Sequence, residues 1–121
     1  MLDVNNVRLI PGQEEGFDHR FAAGEITVVL GANRSGKTDL CRLIAGLNTH
    51  ARGQVSLAGA DLSGQSPRQR PVGLVYQAFV NYPNLTVRQN IASPLQAQKL
   101  PAADIDTTVA ELAAKLRIED L

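Results

Sequence analysis

The segment 31–38 reads Gly-Ala-Asn-Arg-Ser-Gly-Lys-Thr, which fits the pattern G-x-x-x-x-G-K-[ST]. A short apolar run, 26–30, precedes it, and a stripe of apolar residues at helical spacing follows it between Leu40 and Leu47. The order strand, glycine-containing loop, helix is the context in which this pattern binds phosphate. The alternative is a glycine-rich turn with an exposed lysine, which this context disfavours.

Each fixed position of the segment suits one step of phosphate binding. Gly31 and Gly36 permit backbone angles closed to other residues, so successive N–H groups can turn inward around phosphate oxygens. The N-terminal end of the following helix adds positive charge. Lys37 would place a cation on the β- and γ-phosphates, and the Thr38 hydroxyl would bind Mg²⁺. The predicted binding residues are Gly31, Ala32, Asn33, Arg34, Ser35, Gly36, Lys37, Thr38 and Asp39.

Apolar patterning predicts the remaining elements. Predicted strands cover 2–9, 17–21, 26–30, 54–58 and 72–76. Thr86 and Gln89 match a capping box, which predicts that a helix starts there. Pro94 is expected to end or kink that helix. A last helix runs from about Ala102 to Leu116, with Ile105, Val109, Leu112 and Leu116 on its buried stripe. Strands that alternate with helices indicate an α/β architecture.

Charge and composition exclude several classes. Lys plus Arg and Asp plus Glu number 12 each, so the balanced charge gives no general attraction to nucleic acid or anionic lipid. The single cysteine, Cys41, excludes an internal disulfide and fits a reducing compartment. The sequence shows no membrane span and no signal peptide. We therefore expect a cytoplasmic protein that reaches a membrane only through a partner.

Several stretches together resemble ABC-transporter ATPases. The segment 31–47, which continues past Thr38 into L-C-R-L-I-A-G-L, resembles their Walker A region. The segment 53–59 resembles their next strand, and 70–77 resembles the strand that ends in the Q-loop glutamine. The segment 80–95 is similar to the carbohydrate-import branch, of the maltose and glycerol-3-phosphate types. The resemblance extends over nearly the whole chain.

This resemblance implies a P-loop (RecA-like) α/β core with an antiparallel β flank. The flank would be 1–24, the core 25–77, and 78–121 the start of a helical subdomain. ATP and Mg²⁺ would be the cofactors, with Lys37 and Gln77 in the catalytic machinery and Thr38 and Gln77 on the metal. From the residue pattern alone, Gln77 is more readily a polar residue that merely ends a strand.

The resemblance also implies partners and a location. Transmembrane permease subunits and a second, identical or different, ATPase subunit would hold the protein at the cytoplasmic face of the membrane, without nucleic acid. ATP binding and hydrolysis would drive import of a sugar or related polyol phosphate. One alternative is a non-catalytic nucleotide-binding or assembly fragment. Another is a small P-loop kinase, against which stands the absence of an arginine-rich lid.

The sequence departs from the family pattern in what it lacks. No L-S-G-G-Q signature, Walker B aspartate with catalytic glutamate, or switch histidine occurs in the positions expected after Gln77. The stretch 62–65 resembles a shortened signature but precedes Gln77, so we interpret it as an ordinary loop. We expect a truncated domain that does not hydrolyse ATP alone and that exposes apolar surface at 26–30.

Two further departures affect the nucleotide site. The aromatic residue that stacks on adenine in the family is missing, because Ile10 and Pro11 stand in its place. Asp39 replaces a usual serine or threonine and would repel phosphates unless Arg34 or Arg42 neutralises it.

Cysteine, arginine, histidine and aromatic residues outside these motifs are interpreted as structural or surface residues. Cys41 is expected to pack rather than react, and Arg68 and Arg70 to lie in a solvated loop. His19 and His50 are interpreted as surface residues. Three aromatic residues near Gln77 are expected to pack in the core or on a docking surface: Tyr76, Phe79 and Tyr82.

Overall fold

The computed structural model describes residues 1–48, 50–78 and 80–119, which form a small α/β structure. The chain divides into two compact units, Met1–Val75 and Tyr76–Leu121. The first unit contains an antiparallel sheet and one α-helix, and the second contains two α-helices. In the part of the chain that the structure describes, no helix combines the length and apolar character needed to cross a membrane.

The sheet has four strands in the order β2-β1-β3-β4, and every neighbouring pair is antiparallel. Its strands are β1 Leu2–Arg8, β2 Phe17–Phe21, β3 Arg52–Leu57 and β4 Ala60–Asp61. The predictions of strands near 2–9, 17–21 and 54–58 are therefore confirmed, although β3 begins two residues earlier than expected.

A bulge explains why the apolar residues of β1 alternate imperfectly. The pairing register shifts between Val4 and Val7, and Asn6 between them has a left-handed backbone with φ of 49°. Because a bulge adds a residue to one strand, two apolar positions three apart can face the same side. Both valines are 0 % exposed, and together with Val55 of β3 they form the centre of the core.

Helix α1, Lys37–Ile44, covers this core through Leu40 and Leu43. It ends before Leu47, the last residue of the predicted apolar stripe, because Gly46 adopts φ of 76° and closes the helix. The Gly46 N–H donates to the Leu43 carbonyl at 3.0 Å, and the Leu47 N–H to the Arg42 carbonyl at 2.8 Å. This pair of bonds is a Schellman ending, for which glycine is favoured because it has no Cβ.

Two predicted buried strands are not formed. Neither 26–30 nor 72–76 pairs with a strand among the described residues. The side chains of Ile26 and Leu30 are 96 % and 87 % exposed, and Val75 is 97 % exposed. The prediction is wrong for both segments, because an apolar run becomes a buried strand only when neighbouring strands and covering helices supply hydrogen bonds and contacts.

In the second unit, α2 spans Val87–Ala97 and α3 spans Ala102–Leu116. The predicted capping box is confirmed: the Gln89 N–H donates to Thr86 Oγ1 at 3.2 Å, and the Thr86 N–H donates to Gln89 Oε1 at 2.9 Å. Pro94 lies inside α2, which continues to Ala97.

The predicted apolar stripe of α3 is only half buried. Ile105 and Val109 pack with Ala92 of α2 in a small second core. Leu112 and Leu116, two turns further along, are 38 % and 63 % exposed. Periodicity therefore identifies the correct face of the helix but not how far along it the neighbouring helix reaches.

Candidate functional site

The loop before α1 turns on two left-handed residues. Arg34 has φ of 63°, and Gly36, which caps α1, has φ of 89° and is buried. A Cβ atom at Gly36 would lie 3.0 Å from Cβ and Cδ1 of Leu9, closer than ordinary van der Waals contact. Glycine is thus needed at position 36 both for the backbone angle and for the space.

The side chain of Lys37 folds back over this loop. Its Nζ donates to the Gly31 carbonyl at 2.7 Å, to the Ala32 carbonyl at 2.6 Å, and to Ser35 Oγ at 3.4 Å. The Ser35 N–H also donates to the Ala32 carbonyl at 3.3 Å, which closes a turn. The structure therefore brings together four of the predicted site residues and places an ammonium group against the start of the loop.

The N-terminal end of α1 provides hydrogen-bond donors next to this cation. Its first intrahelical bond runs from the Leu40 N–H to the Gly36 carbonyl at 2.8 Å, so the amides of residues 37–39 have no acceptor within the helix. No described side chain caps this end. Thr38 is exposed, so its hydroxyl is accessible. The arrangement is suited to an anion, because amide dipoles and an ammonium group lie within one turn of chain.

Asp39 is held by a residue that sequence reasoning did not select. Asn48 Nδ2 donates to Asp39 Oδ1 at 3.3 Å. Across residues 1–48, 50–78 and 80–119, the ion pairs are Arg20–Asp3 and Arg88–Asp106. Neither of the two arginines that could neutralise Asp39 forms an ion pair with it there, and the side chain that bonds its carboxylate is a neutral amide.

Gln77 is exposed and belongs to the second unit, whereas 31–38 belongs to the first. Tyr76 and Tyr82 of the same unit are also exposed, 47 % and 59 %, so neither packs in a core. Phe79 lies outside the described residues.

Two other interpretations of the sequence need correction. Cys41, on α1, is exposed rather than packed. Arg70 is 8 % exposed, so it does not lie in a solvated loop, whereas Arg68 is exposed as expected. The burial of Arg70 could not be predicted from the sequence, because its acceptors include carbonyl groups more than 25 residues away.

A mainly apolar cavity of about 370 Å³ adjoins the loop within the first unit. Phe17 and Phe21 of β2 line it together with Val28, Leu40 and Lys37. The sequence placed no aromatic residue beside the loop, because β2 and the loop meet only through the tertiary fold.

The sequence of most of the chain, including this loop and the helix that follows it, matches a known family. Residues 15–121 match the ABC transporter family, and the chain belongs to that family.

Its relatives include ATP-binding proteins of several importers. It is 38 % identical over 106 residues to the spermidine/putrescine import ATP-binding protein PotA of Thermobifida fusca, covering 88 % of this chain and 28 % of the relative. It is 36 % identical over 104 residues to the sn-glycerol-3-phosphate import ATP-binding protein UgpC of Paracoccus denitrificans, covering 86 % and 30 %.

A third relative is named for another solute. The sulfate/thiosulfate import ATP-binding protein CysA of Thermosynechococcus vestitus is 40 % identical over 104 residues, which cover 86 % of this chain and 31 % of the relative. The chain thus spans less than a third of the length of these relatives.

Proposed function

We propose that this chain is the ATP-binding part of the ATPase subunit of an ABC importer, with 31–38 as its triphosphate site. The observation that carries the proposal is the position of Lys37, whose ammonium group lies 2.6–2.7 Å from two loop carbonyls beside a helix end that no described side chain caps. A triphosphate would exchange those carbonyl contacts for stronger charge-assisted bonds.

The residues present fit Mg-ATP. Backbone amides of 31–39 and the Lys37 ammonium would hold the phosphates, and the exposed Thr38 hydroxyl would hold Mg²⁺. On the family resemblance we also propose Gln77 as a second Mg²⁺ ligand and as the residue that orients water, since the oxygen of an amide can bind Mg²⁺ or accept a hydrogen bond from water. The bound metal would neutralise charge on the β- and γ-phosphates.

We further propose a P-loop core for the whole protein. The division would be a β flank at 1–24, a core at 25–77 with a Walker A loop and a Q-loop, and the start of a helical subdomain at 78–121. The exposed segment 26–30 and the partly exposed segment 72–76 support this, because their apolar composition suits parallel strands that are buried on both faces. They would become strands when other parts of the whole protein pair with them.

The proposed role is to couple ATP binding and hydrolysis to solute import at the cytoplasmic face of a membrane. Transmembrane permease subunits and a second ATPase subunit would be the partners. The similarity to a glycerol-3-phosphate import protein supports a sugar or polyol phosphate as solute. Similar identities to proteins named for polyamine and sulfate import support the broader role of an importer subunit.

A second candidate function is a nucleotide-binding or assembly fragment without turnover. The specific observation in its favour is that 62–65 is the nearest match to a signature motif, and it precedes Gln77 rather than following it. A small P-loop kinase is the third reading, and the family match disfavours it.

The test of the proposed site is Mg-ATP binding by the wild-type chain and by Lys37→Ala. Charge-assisted bonds contribute about 1.5–3 kcal/mol each, so Lys37→Ala should weaken binding by about tenfold or more. Lys115→Ala, which removes a lysine from the last turn of α3, is the matched control and should bind as wild type does. Equal affinity of Lys37→Ala and wild type in titration calorimetry would exclude Lys37 from the site.

A further inference from the structure

Arg70 is the one charged side chain that the structure buries within its described residues, at 8 % exposure. Its guanidinium donates four hydrogen bonds, all to backbone carbonyl oxygens. Nη1 contacts Leu43 O at 2.8 Å and Ile44 O at 2.9 Å, Nε contacts Gln65 O at 3.1 Å, and Nη2 contacts Ser63 O at 3.3 Å. A buried cation requires such compensation, because leaving its donors unpaired would cost several kcal/mol.

Two of these acceptors lie at the C-terminal end of α1. Leu43 and Ile44 are its last residues, and the final carbonyl groups of a helix have no partner within the helix. The same end carries partial negative charge, which a guanidinium complements. With one planar group, Arg70 therefore donates to the Ile44 carbonyl and adds a second donor to the Leu43 carbonyl, which also accepts from the Gly46 N–H.

The other two acceptors connect that helix end to a different part of the first unit. Ser63 and Gln65 belong to the loop that follows β4, so Arg70 joins this loop to the end of α1. Gly46 leaves space for the Arg70 side chain, because a Cβ atom at position 46 would lie 2.7 Å from Arg70 Nε and 3.0 Å from its Cζ.

The charge of Arg70 is permanent under ordinary conditions. Burial lowers its pKa, and the nearby Asp61 carboxylate opposes that shift. Arginine nevertheless stays protonated in proteins near neutral pH. The hydrogen bonds of Arg70 to the end of α1 and to the loop after β4 therefore do not depend on pH in the physiological range.

We propose that Arg70 is a positioning residue for the candidate phosphate site. Lys37 is the first residue of α1, and Arg70 holds the last two. This helix of eight residues is about 12 Å long, and its backbone hydrogen bonds couple a displacement at one end to the other. By fixing the end at Leu43 and Ile44, Arg70 sets the direction in which the N-terminal amides and Lys37 point. The effect on nucleotide affinity rests on the proposed function, whereas the effect on the loop geometry does not.

Lysine cannot replace this group in full. Arginine presents five donors in a rigid planar fork, whereas the ammonium group of lysine is a compact point charge with three. Arg70→Lys keeps the cation at the helix end but cannot reach acceptors on opposite sides of the fork. Arg70→Met removes both the charge and the donors while keeping an unbranched apolar stem.

The experiment compares Arg70→Lys and Arg70→Met with Arg68→Met in the 121-residue chain. Arg68 is exposed and lies two residues away in the 3₁₀ helix Pro67–Gln69, so it controls for loss of an arginine in this segment. The first readout is the set of ¹H–¹⁵N amide resonances of residues 36–39 and the hydrogen exchange of the Leu40 amide, without nucleotide. The second readout is Mg-ATP affinity.

We expect both Arg70 variants to shift the amide resonances of 36–39 and to accelerate exchange at Leu40. Mg-ATP binding should weaken about tenfold in Arg70→Met and about threefold in Arg70→Lys. Arg68→Met should change neither readout. A purely local role at the C-terminal end of α1 would leave the signals of 36–39 unmoved.

Unchanged amide signals in folded Arg70 variants would overturn the proposal. If Arg70→Met fails to fold, Arg70→Lys decides by the same resonances. If the wild-type chain does not bind Mg-ATP, the proposed function fails, and the nucleotide-free amide signals still decide the role of Arg70.

Discussion

Asn48 donates from its side-chain Nδ2 to the Asp39 carboxylate, and the two atoms are 3.3 Å apart. The Oδ1 atom of the same amide accepts from the His50 N–H at 2.8 Å and from the Ala51 N–H at 3.0 Å. Asn48 thus connects the first turn of α1 to the chain that leads into β3. Because an amide is neutral, this contact orients the Asp39 carboxylate but leaves its negative charge in place, two residues from Lys37.

That charge should oppose binding of a triphosphate. We predict that Asp39→Asn tightens Mg-ATP binding by about threefold, since it removes one negative charge near the phosphates in a well-solvated site. Titration calorimetry at low salt measures the change, and Glu111→Gln, an exposed carboxylate on α3, is the control. Weaker binding by Asp39→Asn would instead show that this carboxylate supports the site.

The capping box of α2 should contribute measurably to stability. We predict that Thr86→Ala lowers the free energy of unfolding by about 1 kcal/mol, because it leaves the Gln89 N–H without its side-chain acceptor. Denaturant unfolding monitored by circular dichroism is the measurement.

The matched control is Thr107→Ala within α3, where the threonine hydroxyl donates to the Ala103 carbonyl at 3.0 Å in the helix interior. Alanine favours a helix interior over threonine, so this change should be neutral or stabilising. Equal losses for both variants would show that the cap adds nothing beyond general threonine replacement.

Recognition of the base should be weak. By the family resemblance, Ile10 is at the position where the stacking aromatic is expected; it is 48 % exposed and has no aromatic face. Affinity would then rest on the triphosphate, which all nucleotides share, so GTP should compete with ATP within about tenfold. A competition assay with a labelled nucleotide is the measurement. A hundredfold preference for ATP would mean that a stacking partner exists, and Phe17 in the neighbouring cavity would be the first to replace.

Phosphate release by the 121-residue chain should stay at background. Catalysis requires a group that positions or deprotonates water and donors that enclose the transition-state charge. The sequence from Met1 to Leu121 contains no apolar run that ends in the Asp-Glu of a Walker B motif and no signature after Gln77. A continuous phosphate assay tests this, and release above background that Lys37→Ala abolishes would contradict the prediction.

Local signals in the sequence determined most of the secondary structure and the position of the candidate phosphate loop. The bounds of α3, the capping box of α2, the positions of β1, β2 and β3, and the loop that precedes α1 all follow from residue spacing and turn chemistry. These features depend on interactions over a few residues, such as a threonine that caps its own helix or a glycine that turns a loop. The residues that line the candidate site, Gly31 to Lys37, were found for the same reason.

The tertiary structure determined the burial and the hydrogen-bond partners of residues whose contacts are distant in sequence. The sequence predicts Arg70 in a solvated loop, and only the fold shows that it donates to two carbonyls of α1 and two of the loop after β4. The contact of Asn48 with Asp39 likewise depends on the fold. The run 26–30 has the composition of a buried strand, yet it remains exposed because no described strand pairs with it. Burial and hydrogen bonding depend on contacts between segments that are remote in sequence. The residue pattern of one segment does not show which other segment will pack against it.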